Sequence, residues 1–136
     1  MTTRVVNIHK INSKRPAFDI YIGRTVRYTE FTQSSKWANP FRVIQWGKMT
    51  LPIYEVYIRA LIDKVFAENL PGYNLLTPTE QNAIDKACHA IRQPKYRERG
   101  NWDLHELVNK RLGCWCKPGP CHGDILVKLI REAGIE

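Results

Sequence analysis

The chain has 136 residues, 43% hydrophobic and 25% charged, the size and balance of one globular domain that can bury roughly two-thirds of its unfolded surface without disulfide staples. No apolar run approaches the ~18 residues of a membrane span, and Met1-Thr2-Thr3-Arg4 opens without a secretory apolar stretch, so a cytoplasmic protein with no membrane partner is expected. Lysine and arginine total 21 against 13 acids, a formal charge of +8, which favours phosphate-bearing small molecules or nucleic acid as partners.

Val5-Val6-Asn7-Ile8 and Asp19-Ile20-Tyr21-Ile22-Gly23-Arg24 are rich in β-branched and aromatic residues and bounded by turn formers, so both predict strands. Residues 25–40 are polar and aromatic without sustained periodicity and read as a functional loop. Phe41-Arg42-Val43-Ile44-Gln45-Trp46 reads as a third strand stopped by Gly47. Thr50 then offers an N-cap and Pro52 a first turn, and Ile53, Val56, Tyr57, Ala60, Leu61 and Val65 recur at helical spacing, predicting a helix over about 51–67. Thr77-Pro78-Thr79-Glu80 is a capping box opening a helix that runs to about Gln93, with Ile84, Ala87, Cys88 and Ile91 as its apolar stripe.

After the basic segment Lys95-Tyr96-Arg97-Glu98-Arg99-Gly100, Asn101 can cap a helix burying Leu104, Leu107, Val108 and Leu112. Cys114-Trp115-Cys116 alternates like a short strand, and Ile125, Leu126, Leu129 and Ile130 form the stripe of a last helix. The expected fold is a single α/β domain over 1–136, Rossmann-like. A small mixed sheet of the first, second and last strands is flanked by about four helices, with a helical insertion at about 70–100.

The densest cluster of reactive side chains is Cys114-Trp115-Cys116-Lys117-Pro118-Gly119-Pro120-Cys121-His122-Gly123-Asp124, which holds three of the four cysteines. Several readings of it stand side by side. Cys114, Cys116, Cys121 and His122 are a chemically reasonable tetrahedral Zn²⁺ set. Without metal, Cys121 at the start of the last helix is a candidate nucleophile with His122 or Asp124 as proton carrier. Alternatively the amides around Cys121, His122 and Gly123 hold a phosphate, with Gly123 letting the anion approach. The plainest reading makes Cys114 and Cys116 small core hydrophobes and the prolines a turn.

Gly23 and Arg24 end the second strand, placing a permissive backbone and a planar cation where ligands of open α/β sheets bind. In Ser34-Ser35-Lys36-Trp37-Ala38-Asn39-Pro40-Phe41, Pro40 pushes Asn39 toward an extended conformation, so its amide can read a hydrogen-bonding edge while Trp37 stacks on a base. Cys88 reads as packing, and His89, His9, His105 and Glu106 carry no comparable signal. No paired-carboxylate motif, phosphate-binding Gly-x-x-x-x-Gly-Lys loop or Gly-x-Ser-x-Gly elbow is present.

In order, Val5-Val6-Asn7, Asp19-Ile20-Tyr21-Ile22-Gly23-Arg24, Ser35-Lys36-Trp37-Ala38-Asn39-Pro40-Phe41 and Leu112-Gly113-Cys114-Trp115-Cys116-x-Pro-x-x-Cys121-His122-Gly123-Asp124 resemble an uncharacterised bacterial and phage family, domain-of-unknown-function family 4326. The resemblance covers both ends of the chain. Residues of roughly 70–100 fall outside the family pattern, and Ala38 stands where that pattern has glycine. It implies a phage or bacterial setting, hence a host cytoplasm for a phage protein, and no settled activity.

All these motifs sit at expected strand ends, which implies one crevice lined by Arg24, Trp37, Asn39, Cys116, Cys121, His122 and Asp124. The leading expectation is binding, with or without processing, of a nucleotide, nucleoside or modified base. An enzyme of this kind would be a hydrolase or transferase. The alternatives are a basic nucleic-acid-binding module, zinc-stabilised or not, and a phage accessory protein that binds a host protein.

Overall fold

The structure is a computed structural model and describes residues 2–7, 18–24, 35–92, 101–114 and 120–136. Its described residues separate into two compact units, Met1–Asn39 with Asp103–Glu136, and Pro40–Trp102.

The first unit is built on a three-stranded sheet of β1 (Arg4–Asn7), β2 (Ile20–Tyr21) and β3 (Arg111–Cys114), in the order β1-β3-β2. Val5 and Ile20 both lie opposite Leu112, and Val6 and Tyr21 both lie opposite Gly113. The first and second strands form the sheet as expected, and the last strand lies at Arg111–Cys114 and not at the expected 114–116, of which 115 and 116 fall outside the described residues. Both pairings are parallel, so the described sheet is not mixed. No hairpin joins neighbouring strands, and parallel pairing requires long crossover connections of this kind. Central β3 buries Leu112, Gly113 and Cys114 in succession, as a strand covered on both faces does.

A final helix, His122–Ala133, buries Leu126, Leu129 and Ile130 while Lys128, Arg131 and Glu132 stay exposed, and it packs on β1. Gly134 ends this helix in the left-handed conformation at φ 66°, where glycine avoids the Cβ penalty. Asp19 clamps the sheet from outside: its N–H donates to the Arg111 carbonyl at 2.8 Å and its Oδ2 accepts from the Arg111 N–H at 2.8 Å.

The expected helix after Asn101 is instead a short 3-10 turn, Leu104–Leu107, capped by Asp103 through its bond from the His105 N–H at 2.9 Å. Leu104 and Leu107 are buried three positions apart, which a 3-10 turn aligns as well as an α-helix does. Asn109 at φ 60° breaks the path, and Leu112 belongs to β3.

In the second unit the expected strand at Phe41–Trp46 is replaced by one helical turn, α1 (Val43–Trp46). The N–H groups of Gln45 and Trp46 close on the Arg42 carbonyl at 3.1 and 3.0 Å, so the segment satisfies its backbone locally, and Ile44 is 94% exposed. α2 (Thr50–Asp63) starts at Thr50 rather than after it and ends where Lys64 turns left-handed at φ 58°. Its buried face, including Ile53, Tyr54, Tyr57 and Ile58, packs against α3 (Pro78–Ile91). α3 opens on the predicted capping box, with the Thr77 N–H on Glu80 Oε1 at 2.8 Å and the Glu80 N–H on Thr77 Oγ1 at 3.2 Å. The expected insertion at about 70–100 falls inside this helical unit, with 93–100 outside the described residues. The last helix of the first unit is α4.

Candidate functional site

Because all three strands are parallel, their carboxyl ends share one edge of the sheet. Directly after β2, the Ile22 N–H donates to the Gly113 carbonyl at 3.1 Å, so Gly23 and Arg24 emerge beside the end of β3. The Ser35 N–H donates to the Gly23 carbonyl at 2.9 Å, and Arg24 Nε donates to the Asn39 carbonyl at 2.8 Å. Residues 35–39 are thereby fastened to the same edge as Cys114 and the start of α4.

Cys114, Cys121 and His122 are all buried there, and their sulfur and ring-nitrogen atoms lie within 4.8 Å of one another. The two sulfurs are 2.7 Å apart. His122 Nδ1 stands 4.0 Å from Cys114 Sγ and 3.9 Å from Cys121 Sγ, while its Nε2 lies 2.7 Å from the Ile22 carbonyl. A carbonyl only accepts, so Nε2 carries the proton, and in the neutral ring Nδ1 presents its lone pair toward the sulfurs. Cys116, the fourth member of the expected set, lies outside the described residues, as do His9 and the basic run over 95–100.

The expected catalytic trio has structural duties. Cys121 caps α4: its Sγ accepts from the Gly123 N–H at 3.3 Å, and its N–H donates to Asp124 Oδ2 at 3.2 Å. Asp124 is therefore the acid of a capping box. Cys121 is fully covered and His122 is 5% exposed, so neither presents a reactive atom to a substrate arriving from solvent.

Gly123, expected to let an anion approach, has a packing role. A Cβ there would meet Val5 Cγ2 at 2.7 Å and Ile22 Cδ1 at 2.8 Å, so the glycine lets α4 press onto β1 and the end of β2. Gly23 is likewise a matter of space. A Cβ would fall 2.5 Å from the hydroxyl of Tyr21, whose ring folds over Gly23 so that its O–H donates to the Arg24 carbonyl.

Trp37 is 2% exposed, with Lys36 Nζ over its ring at 5.5 Å, and Asn39 is 7% exposed. The indole forms part of the core under the edge and offers no open face for stacking. Lys36 also pairs with Glu106 at 2.8 Å. Tyr21 and the Ile22 carbonyl were missed as site groups. A tyrosine two residues before a glycine at a strand end is a weak sign of ring-over-glycine packing, whereas a main-chain acceptor leaves no sequence signal.

A family model described as a domain of unknown function (DUF4326) matches residues 6–132. The chain belongs to this family. Over 42 residues it is 48% identical to the "Uncharacterized 12.4 kDa protein in nrdA-td intergenic region" of Enterobacteria phage T4, covering 31% of this chain and 39% of that relative. No solved structure matches the chain. Among the described residues no helix is long and apolar enough to cross a membrane.

Proposed function

We propose that this member of the family binds a nucleotide or a related phosphate-bearing small molecule at the carboxyl edge of its parallel sheet. The observation that carries this reading is the pairing of β2 with β3, which gathers 23–24, 35–39 and the start of α4 on one edge. Open α/β sheets bind ligands outside the carboxyl ends of their strands. Arg24 is exposed at that edge, and its bond to the Asn39 carbonyl holds its planar guanidinium in place. A guanidinium so held suits two parallel bonds to phosphate oxygens. The +8 charge draws anionic ligands toward it.

Zinc is the cofactor that the buried Cys/His cluster supports, as an anchor under this edge. Calorimetric titration with nucleoside mono-, di- and triphosphates and inorganic phosphate tests the reading. Saturable binding that weakens in Arg24→Ala supports it, and binding unchanged by that substitution contradicts it.

The charge also favours a second reading, a basic nucleic-acid-binding module. That reading requires affinity for a DNA or RNA oligonucleotide to fall steeply with salt, because phosphate contacts release counterions. A flat salt response removes it.

A further inference from the structure

We infer that Cys114, Cys121 and His122 form a zinc-binding site that ties the end of β3 to the start of α4, with the imidazole coordinating through Nδ1. The inference rests on donor geometry and stands apart from the reading of nucleotide binding.

Three observations meet in it. First, the donors are one nitrogen and two sulfurs, the set that zinc prefers, and all three side chains are buried. Second, the ring is already held as a metal-bound histidine is held: Nε2–H on a backbone carbonyl at 2.7 Å fixes the tautomer and aims Nδ1 at both sulfurs. Third, the Gly123 N–H points at Cys121 Sγ from the first turn of α4, so a donor hydrogen and the positive end of a helix face a sulfur that must become a thiolate to bind metal.

The nitrogen–sulfur distances fit a tetrahedral metal, and the sulfur pair must open to accept one. With Zn–S near 2.3 Å and Zn–N near 2.0–2.1 Å, tetrahedral angles place sulfurs about 3.8 Å apart and nitrogen about 3.6 Å from each sulfur. The nitrogen–sulfur separations, 4.0 and 3.9 Å, are within a few tenths of an ångström of this. The sulfurs, at 2.7 Å, must move apart by about 1 Å.

A disulfide between Cys114 and Cys121 is the competing use of the pair. It would employ the two sulfurs alone, whereas a metal also employs His122 Nδ1, which lies 4.0 and 3.9 Å from them. Binding transfers no electrons: each coordinating thiol loses its proton to solvent as its sulfur bonds the metal.

The test begins with protein purified under reductant and without chelator. Elemental analysis is expected to find about one zinc per chain. Cys114→Ser, Cys121→Ser and His122→Ala should each reduce it to below about a tenth, while Cys88→Ser leaves it unchanged. Because the site variants risk misfolding, the wild-type chain carries a second measurement. After stripping with chelator and titration with Zn²⁺ alone, it should take up about one equivalent with release of protons, and cobalt should give the absorption of a tetrahedral thiolate site. Zinc retained by the Cys114→Ser/Cys121→Ser variant, no uptake by the stripped wild-type chain, or a Cys114–Cys121 disulfide in protein kept under reductant would each overturn the inference. None of these measurements involves a nucleotide, so failure here and failure to bind nucleotide are distinguishable.

Discussion

Arg24 and Asn39 are joined by a bond from the arginine Nε to the asparagine main-chain carbonyl at 2.8 Å, so an exposed cation at the carboxyl edge of the sheet also fastens the segment beside it. A planar guanidinium can hold a carbonyl at Nε while its terminal nitrogens address another acceptor, but an ammonium cannot reproduce that geometry. Arg24→Ala is expected to weaken nucleotide binding by about tenfold or more, equal to about 1.4 kcal/mol, and Arg24→Lys should not restore it. Calorimetry reads the affinity, and unchanged near-ultraviolet circular dichroism from the buried Trp37 controls for the fold. Full recovery in the lysine variant would show that charge alone suffices.

Gly123 gives a stability prediction. A methyl group at this position collides with the branched carbons of Val5 and with Ile22. Gly123→Ala should therefore destabilise the protein by ~1–3 kcal/mol, the usual range for overpacking a tight contact, although alanine is the better helix former. Urea denaturation with an unchanged m-value is the measurement. A variant as stable as the parent would mean that α4 does not sit this close to β1.

Asp19 and Arg111 make stability depend on pH. The Arg111 guanidinium bonds to the Asp19 carboxylate at 3.1 and 3.3 Å, and together with the Arg111 N–H it holds the acid down to about 2. An unfolded aspartate titrates near ~3.9. The folded value is depressed, so the contribution is complete above the unfolded value and is lost as pH falls through about 2. Thermal melts of the parent and Asp19→Asn should differ near neutrality and converge between about pH 4 and 2. A gap that stays constant through that window contradicts the assignment.

Cys88 should be the inert thiol. It lies on the buried stripe of α3, and burial pushes it up to about 11. The thiolate is the reactive form, so at about pH 8 alkylation of Cys88 should run at least two orders of magnitude slower than that of a free cysteine. Peptide mass spectrometry after a timed iodoacetamide pulse reads the rate. Labelling as fast as in an unfolded peptide would place Cys88 at the surface.

The sequence was most legible where structure is local. Thr77 and Glu80 announce their helix because both halves of the capping box lie within four residues, and Val5 and Val6 announce β1 by composition. The same logic misread Val43 and Ile44, whose β-branched pair suggests a strand although, among the described residues, none pairs with it. Cys121 and Asp124 follow the capping pattern too, but sulfur is an unusual cap, so their chemistry drew attention ahead of their spacing. The convergence of Cys114, Cys121 and His122 was readable from proximity in sequence. The Ile22 carbonyl, 100 positions from His122, was not. Nor was the burial of Trp37, since a tryptophan in a polar loop gives no sign of the direction its ring faces.

The order β1-β3-β2 has a consequence for synthesis of the protein. β1 and β2 are made first, yet among the described residues each pairs with β3 alone. A nascent chain that has emerged only as far as α3 holds two strands whose partner β3 is not yet made, while the α2–α3 pair has all of its own sequence in hand. Assembly on the ribosome should therefore run inward from the middle of the gene product, with the helical pair consolidating early and the sheet closing last. The long loop closure this demands slows that final step.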